Sequence, residues 1–172
     1  MRARETKYPE SLHPALIAPC GMDCGLCVAH LREKNQCGGC NGSDGSKPKH
    51  CVSCRIKHCD ELVAAEAGFC YACSRYPCAR LRQLDERYRA RYGMSMVENL
   101  ERIRDLGIDG FVATERERWR CAACGGVVCV HRQECIYCGQ ARNQIVTLAA
   151  GDTRRRRESG PTPREKRNAS CA

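Results

Sequence analysis

The chain has 172 residues, 17 of them cysteine, but only nine aromatic side chains: one Trp, six Tyr and two Phe. So few large apolar groups exclude a deep conventional core in a cysteine-rich half, where metals or disulfides have to act as staples, and no stretch has the length of a transmembrane span. The formal net charge of +9 is weak support for a nucleic-acid-binding body, because zinc held by four thiolates carries about −2 and three such sites would leave about +3.

Eleven cysteines fall between residues 20 and 78 and form four CxxC pairs: Cys24/Cys27, Cys37/Cys40, Cys51/Cys54 and Cys70/Cys73. A CxxC turn brings two sulfurs to one side of a tight loop, where they can grip one ion. The opening MRARETKYPESLHPALIAPC lacks the apolar run of a secretory signal. The expected compartment is therefore the reducing cytoplasm, with no membrane attachment, and there paired cysteines are metal ligands rather than disulfides.

Residues 1–18 read as an extended lead-in, with Leu16, Ile17 and Ala18 as the first packed residues. Asp23 is an expected N-cap for a short helix carrying Cys24 and Cys27 in its first turn. Cys20, Cys24 and Cys27 also form the CxxxCxxC spacing of radical SAM enzymes, but Leu26 stands where those enzymes usually carry an aromatic residue and the chain is too short for their barrel. Nor does CGLC sit in the βαβ context of a thiol–disulfide site. The stretch NGSDGSKPKH at 41–50 is a polar loop. Asp60 is expected to cap a helix running through Ala67, with Gly68 ending it.

From Ala79 the period becomes helical. Leu81, Leu84, Tyr88 and Tyr92 define one helix stopped by Gly93. Ser95 and Glu98 form a capping box opening a second helix whose stripe is Val97, Leu100, Ile103 and Leu106, ended by Gly107. A third short helix begins near Asp109 and carries Phe111, Val112 and Trp119. These stripes are core-packing faces, and the arginines opposite them read as solvated surface.

The segment WRCAACGGVVCVHRQECIYCGQ carries Cys121/Cys124 and Cys135/Cys138, each pair followed by glycine. That is the zinc-knuckle arrangement: Gly125 and Gly139 take positive φ and turn backbone N–H groups toward sulfur. Val127, Val128 and Val130 predict a strand between the knuckles; Cys129 and His131, two apart on one of its faces, could substitute as ligands but read as a small buried thiol and a surface histidine. A β-type run is expected at 144–149. The tail from Asp152 holds seven basic and three acidic residues in a Pro/Gly/Ser context, read as disordered.

APCGxxCGxC, the following CGGC, CRIKHC and CYACSRYPC resemble the cysteine-rich family of domain of unknown function 3795, and the Trp before CxxCGG…H…CxxCG is similar to its longer members. The likeness runs from Ile17 to Gly139. Carried over by motif, the matching cysteines are Cys20, Cys24, Cys27, Cys37, Cys40, Cys54, Cys59, Cys70, Cys73 and Cys78, with Cys51 a departure. The resemblance implies a metal-binding protein, assumed to take zinc, and supplies no catalytic residue.

The expected fold is thus a small, metal-stapled α+β protein: a cysteine-rich zinc-knuckle block at 19–93, then a unit at 94–149 combining a helical linker with a zinc-ribbon-like hairpin, and a basic tail at 150–172. Three short helices lie within this frame. Two or three Zn²⁺ ions are expected. One is assigned to Cys24, Cys27, Cys37 and Cys40, and one to four of Cys54, Cys59, Cys70, Cys73 and Cys78. A third belongs to Cys121, Cys124, Cys135 and Cys138. Closed four-thiolate sites are structural rather than catalytic, so the expected role is interaction or regulation, with a protein partner and weak non-specific nucleic-acid contact by the tail. A [4Fe–4S] redox centre in the N-terminal block is the alternative. An enzyme using a leftover thiol, Cys20 or Cys78, lacks a visible base beside it. Metal storage or delivery is a further reading, favoured where thiols outnumber what closed sites need.

Overall fold

A computed structural model describes residues 11–64 and 67–142. The described chain is mostly helical, with one two-stranded hairpin at its C-terminal end. Three one-turn helices, α1 (Val28–Leu31), α2 (Lys49–Val52) and α3 (Asp60–Val63), are scattered through the cysteine-rich half among 3₁₀ turns. Two long helices follow, α4 (Ala79–Tyr92) and α5 (Met96–Arg118), and then β1 (Val128–Cys129) paired antiparallel with β2 (Glu134–Cys135).

The long helices form where the apolar stripes predict them. α4 ends at Gly93, whose left-handed φ of 60° closes the last turn back onto the carbonyls of Arg89 and Tyr88. The Ser95 hydroxyl caps α5 by accepting the Glu98 N–H at 3.0 Å, and it donates to Asp85 Oδ1 at 2.7 Å. Asp85 also accepts the Val97 N–H at 3.1 Å. One buried carboxylate on α4 therefore fixes where α5 begins. α5 contains a break at Gly107 (φ 73°, ψ 167°), so its two halves are the second and third helices of the sequence pattern.

The core lies between this helix pair, the first ordered turns and the hairpin. Leu26, Met94, Met96, Leu100, Phe111, Trp119, Val127, Cys129 and Val130 are fully buried. Packing starts earlier than Leu16, because Leu12 is also buried and its carbonyl accepts from Arg116 at 2.8 Å. The hairpin is docked onto the N-terminal turns rather than standing apart: Val130 N–H donates to the Leu26 carbonyl at 3.0 Å, and Val128 N–H to the Trp119 carbonyl at 2.9 Å.

Local expectations differ from the structure in four places. Asp23 does cap a turn, accepting the Gly25 N–H at 2.8 Å. That turn is a 3₁₀ turn of three residues, and α1 starts only after Cys27, which is its N-cap. The helix at 60 is capped by Cys59, not Asp60, and ends at Val63, because a single turn has too few hydrogen bonds to propagate without an apolar face to bury. Two helix arginines are not freely solvated: Arg102 and Arg118 reach the buried Glu115. His131 is half-buried rather than on the surface. The strand expected at 144–149 and the basic tail lie outside the described residues.

Candidate metal centres

The hairpin arranges its cysteines by pairing two knuckles. Gly125 (φ 72°) and Gly139 (φ 70°) take the left-handed conformation that the motif requires. Each lets the chain reverse, and their N–H groups donate to the carbonyls of Cys121 and Cys135, at 2.8 and 3.0 Å. Pairing of Cys129 with Glu134 and of Val128 with Cys135 then brings the two turns face to face.

The result is a set of four sulfurs, from Cys121, Cys124, Cys135 and Cys138, all within 4.8 Å of one another. Cys121 Sγ lies 3.6 Å from Cys138 Sγ, and Cys124 Sγ lies 3.5 Å from Cys135 Sγ. Cys121 and Cys135 are buried while Cys124 and Cys138 are exposed, so the group sits at the surface with its inner edge against the core. Burial acts to raise the Cys121 thiol. Hydrogen bonds from the Cys124 and Ala123 N–H groups and from the neighbouring sulfhydryls outweigh it, and bring the thiol down to about 7. The neighbouring Cys124 thiol is pushed up to about 12 and Cys135 is raised, so the group shares its protons unevenly and gives them up as metal binds. Such a group can hold one metal ion. Among the described residues it is the one cluster of three or more His, Cys, Asp or Glu ligand atoms drawn to this spacing.

A second glycine completes the turn. A Cβ at Gly126 would meet the Tyr137 ring at 2.6 Å and the sulfurs of Cys124 and Cys135 at 3.3 Å each. The sequence pattern singled out Gly125 for its turn and passed over Gly126, whose requirement is a lack of space that only the packed hairpin reveals.

The N-terminal cysteines line two separate cavities. Cys59, Cys70, Cys73 and Cys78 surround a small apolar one of ≈ 30 Å³ closed by Leu62, Tyr76 and Leu81. Cys20, Cys24, Cys27, Cys37, Cys40, Cys51 and Cys54 line a larger one of ≈ 420 Å³, floored by Leu84, Tyr88 and Met96. Cys54, one of five candidates for the second site, lines the larger cavity rather than the smaller one, while remaining an electrostatic neighbour of Cys70. Cys51, the departure from the family pattern, shares a cavity with all four cysteines of the first expected site. Burial pushes the Cys20 and Cys70 thiols up to about 12 and Cys51 up to about 11, with neighbouring thiols adding to each rise. These groups are protonated unless a metal takes the proton's place.

Two side chains between the knuckles, His131 and Cys129, have defined positions here. His131 Nδ1 accepts from the Val28 N–H at 3.4 Å and its Nε2 lies 3.2 Å from the Tyr88 hydroxyl, with the Tyr92 ring edge-on to it. Its imidazole joins the hairpin to α1 and α4. Cys129, two residues earlier, is a fully buried thiol, as its small apolar side chain suggested. Asp23 is also fully buried; one oxygen caps the Gly25 turn and the other has no partner.

Among the described residues, no helix is long and apolar enough to cross a membrane. Residues 16–83 match the family described as Protein of unknown function (DUF3795). The match covers all eleven N-terminal cysteines and stops within α4, so the hairpin and the likeness drawn through Gly139 lie beyond it. No curated protein and no solved structure matches the chain.

Proposed function

We propose that this DUF3795 protein is a zinc-stapled α+β scaffold that serves interaction or regulation rather than catalysis. The observation that carries the reading is the hairpin's four-sulfur group. A zinc–sulfur bond of about 2.3 Å in a tetrahedron sets its ligands about 3.8 Å apart, and the two close sulfur pairs stand at 3.5 and 3.6 Å. Four thiolates with no place for water close the ion's coordination, which is the structural pattern.

A second zinc ion belongs in the cavity of Cys59, Cys70, Cys73 and Cys78. All four thiols line this one small apolar cavity of ≈ 30 Å³, and binding would draw their sulfurs closer together, to the spacing already present at the hairpin. A reducing compartment, the cytoplasm, suits a chain whose described cysteines are all free thiols. A protein partner, and anionic surfaces met by the basic tail, complete the proposal.

The test is zinc analysis of the full chain. Cys124→Ser and Cys138→Ser alter exposed sulfurs, so neither replacement itself opens a cavity in the core. Each should lose one zinc equivalent and the tetrahedral thiolate absorption of its Co²⁺-substituted form. Unchanged zinc content in both would overturn the assignment.

A further inference from the structure

The larger cavity belongs to the cysteine-rich half, yet the hairpin holds part of its wall. Cys27 lines it from the turn before α1, and Tyr88 lines it from α4. On one side of Cys27, the Leu26 carbonyl accepts the Val130 N–H at 3.0 Å. On the other side, the Val28 N–H donates to His131 Nδ1 at 3.4 Å. Val28 is the first residue of α1, so its N–H has no partner within the helix, and a side chain 103 residues away supplies one. Two successive hairpin residues therefore grip the chain immediately before and immediately after this one cysteine.

The same imidazole reaches the α4 wall. Its Nε2 lies 3.2 Å from the Tyr88 hydroxyl, and the Tyr88 and Tyr92 rings stand edge-on to it, with centroids 5.8 and 4.9 Å away. A backbone N–H can only donate, so Nδ1 carries a lone pair and the neutral ring has its proton on Nε2, facing the Tyr88 oxygen. Half-burial of the ring favours this uncharged form. Both nitrogens are thus in use, one as acceptor toward the Cys27 turn and the other as donor toward Tyr88.

We infer that His131 is a positioning residue for the thiol-lined cavity: through its two ring nitrogens it holds the Cys27 turn and Tyr88 in place, so that zinc binding by Cys27 depends on a docked hairpin. This role rests on reading the N-terminal cysteines as metal ligands, but not on which of the other thiols share an ion with Cys27. His131 lies beyond residues 16–83, so the matched family segment takes this support from a part of the chain outside itself.

The test uses the full chain loaded with Zn²⁺, exposed to graded chelator and then to iodoacetamide, with alkylation of each cysteine read by mass spectrometry. In His131→Phe, Cys27 should become reactive at a chelator concentration about 10-fold lower or less, the range of a lost outer-shell partner. Cys121 and Cys135 should stay as protected as in the unaltered chain. His131→Asn keeps an acceptor in place of Nδ1 and should recover part of the Cys27 protection. Equal Cys27 protection in His131→Phe and the unaltered chain overturns the role. So does exposure of Cys121 and Cys135 together with Cys27, which marks a general loosening, or a His131→Asn chain no better protected than His131→Phe. Cys27 alkylated equally fast with and without zinc in the unaltered chain overturns the metal reading beneath it, so the two fail separately. If the variants are insoluble, ¹⁵N-labelled histidine in the unaltered chain decides: the His131 proton should sit on Nε2, and a ring protonated on Nδ1 overturns the role.

Discussion

Glu115→Gln measures how strongly the two halves of α5 and its capping tryptophan are tied together across the Gly107 break. The Glu115 carboxylate is fully buried. It accepts the Trp119 indole N–H at 2.7 Å on one oxygen; the other takes Arg102 at 2.7 Å and Arg118 at 3.5 Å. Glutamine keeps one acceptor, so its amide N–H₂ must face either the indole or a guanidinium, donor against donor. Hydrogen bonds to charged groups contribute about 1.5–3 kcal/mol each, and removing one partner of a buried ion pair costs about 3–5 kcal/mol. Arg102 and Arg118 retain 24% and 15% side-chain exposure, so water takes up part of their charge and the lower end applies, about 3 kcal/mol. At about 2–4 °C per kcal/mol for a protein of this size, Tm should fall by about 6–12 °C. The assay is a thermal melt at fixed free zinc, with the single tryptophan's fluorescence as the local probe. Zinc content should not change, because no metal ligand is touched. A Tm within about 2 °C of the parent, with unaltered tryptophan emission, would refute the reasoning.

Three further outcomes are expected. Gly126→Ala should weaken zinc binding at the hairpin about 10-fold or more, in the range of a disturbed outer shell, measured by competition with a chelator, because its Cβ would meet Tyr137 and two sulfurs. Ser95→Ala should cost about 1–2 kcal/mol in denaturant unfolding, through loss of the α5 cap and of the bond to Asp85. Burial, with His50 adding to it, holds the His131 imidazole below its ordinary value of 6.5. The unfolded chain then binds the extra proton first, so this contribution to stability is intact above pH 6.5 and is lost as pH falls through the folded value. His131→Phe, facing Tyr88 and Tyr92, should flatten that part of the curve in melts between about pH 5 and 8.

The features readable in the sequence were those set by local rules. The ends of α4 and of the first half of α5 follow from Gly93 and Gly107, and the start of α5 from Ser95. The four-sulfur group at the hairpin follows from two CxxCG turns on either side of a valine-rich strand, because ligand spacing and turn geometry lie in the same few residues. What spacing could not supply was the sorting of the eleven N-terminal cysteines. CxxC pairs fix two sulfurs at a time, but which pairs meet depends on how the connecting 3₁₀ turns pack against α4 and α5. That is why Cys54 and Cys59 line different cavities, and why Cys51 shares one with Cys27, Cys37 and Cys40. Glu115 was missed for a related reason: an acidic residue in a run of ERER reads as solvated until its indole and guanidinium partners, Trp119 and Arg102, are brought over it.

The hydrogen bond from Val130 to Leu26 sets the order in which the nascent protein completes itself. Leu26 lies between Cys24 and Cys27, and its covering strand is synthesised roughly 100 residues later. At about 5–20 residues per second, that is an interval of about 5–20 s. Cys78, the last N-terminal cysteine, is made halfway through that interval, so during its second half every thiol of the block exists while the covering strand is missing. Metal captured early would hold these turns in shape until the hairpin arrives, whereas mispaired thiols would leave the strand no surface on which to dock. The expected outcome is that metal supplied during synthesis raises the yield of native chain more than the same metal added afterwards.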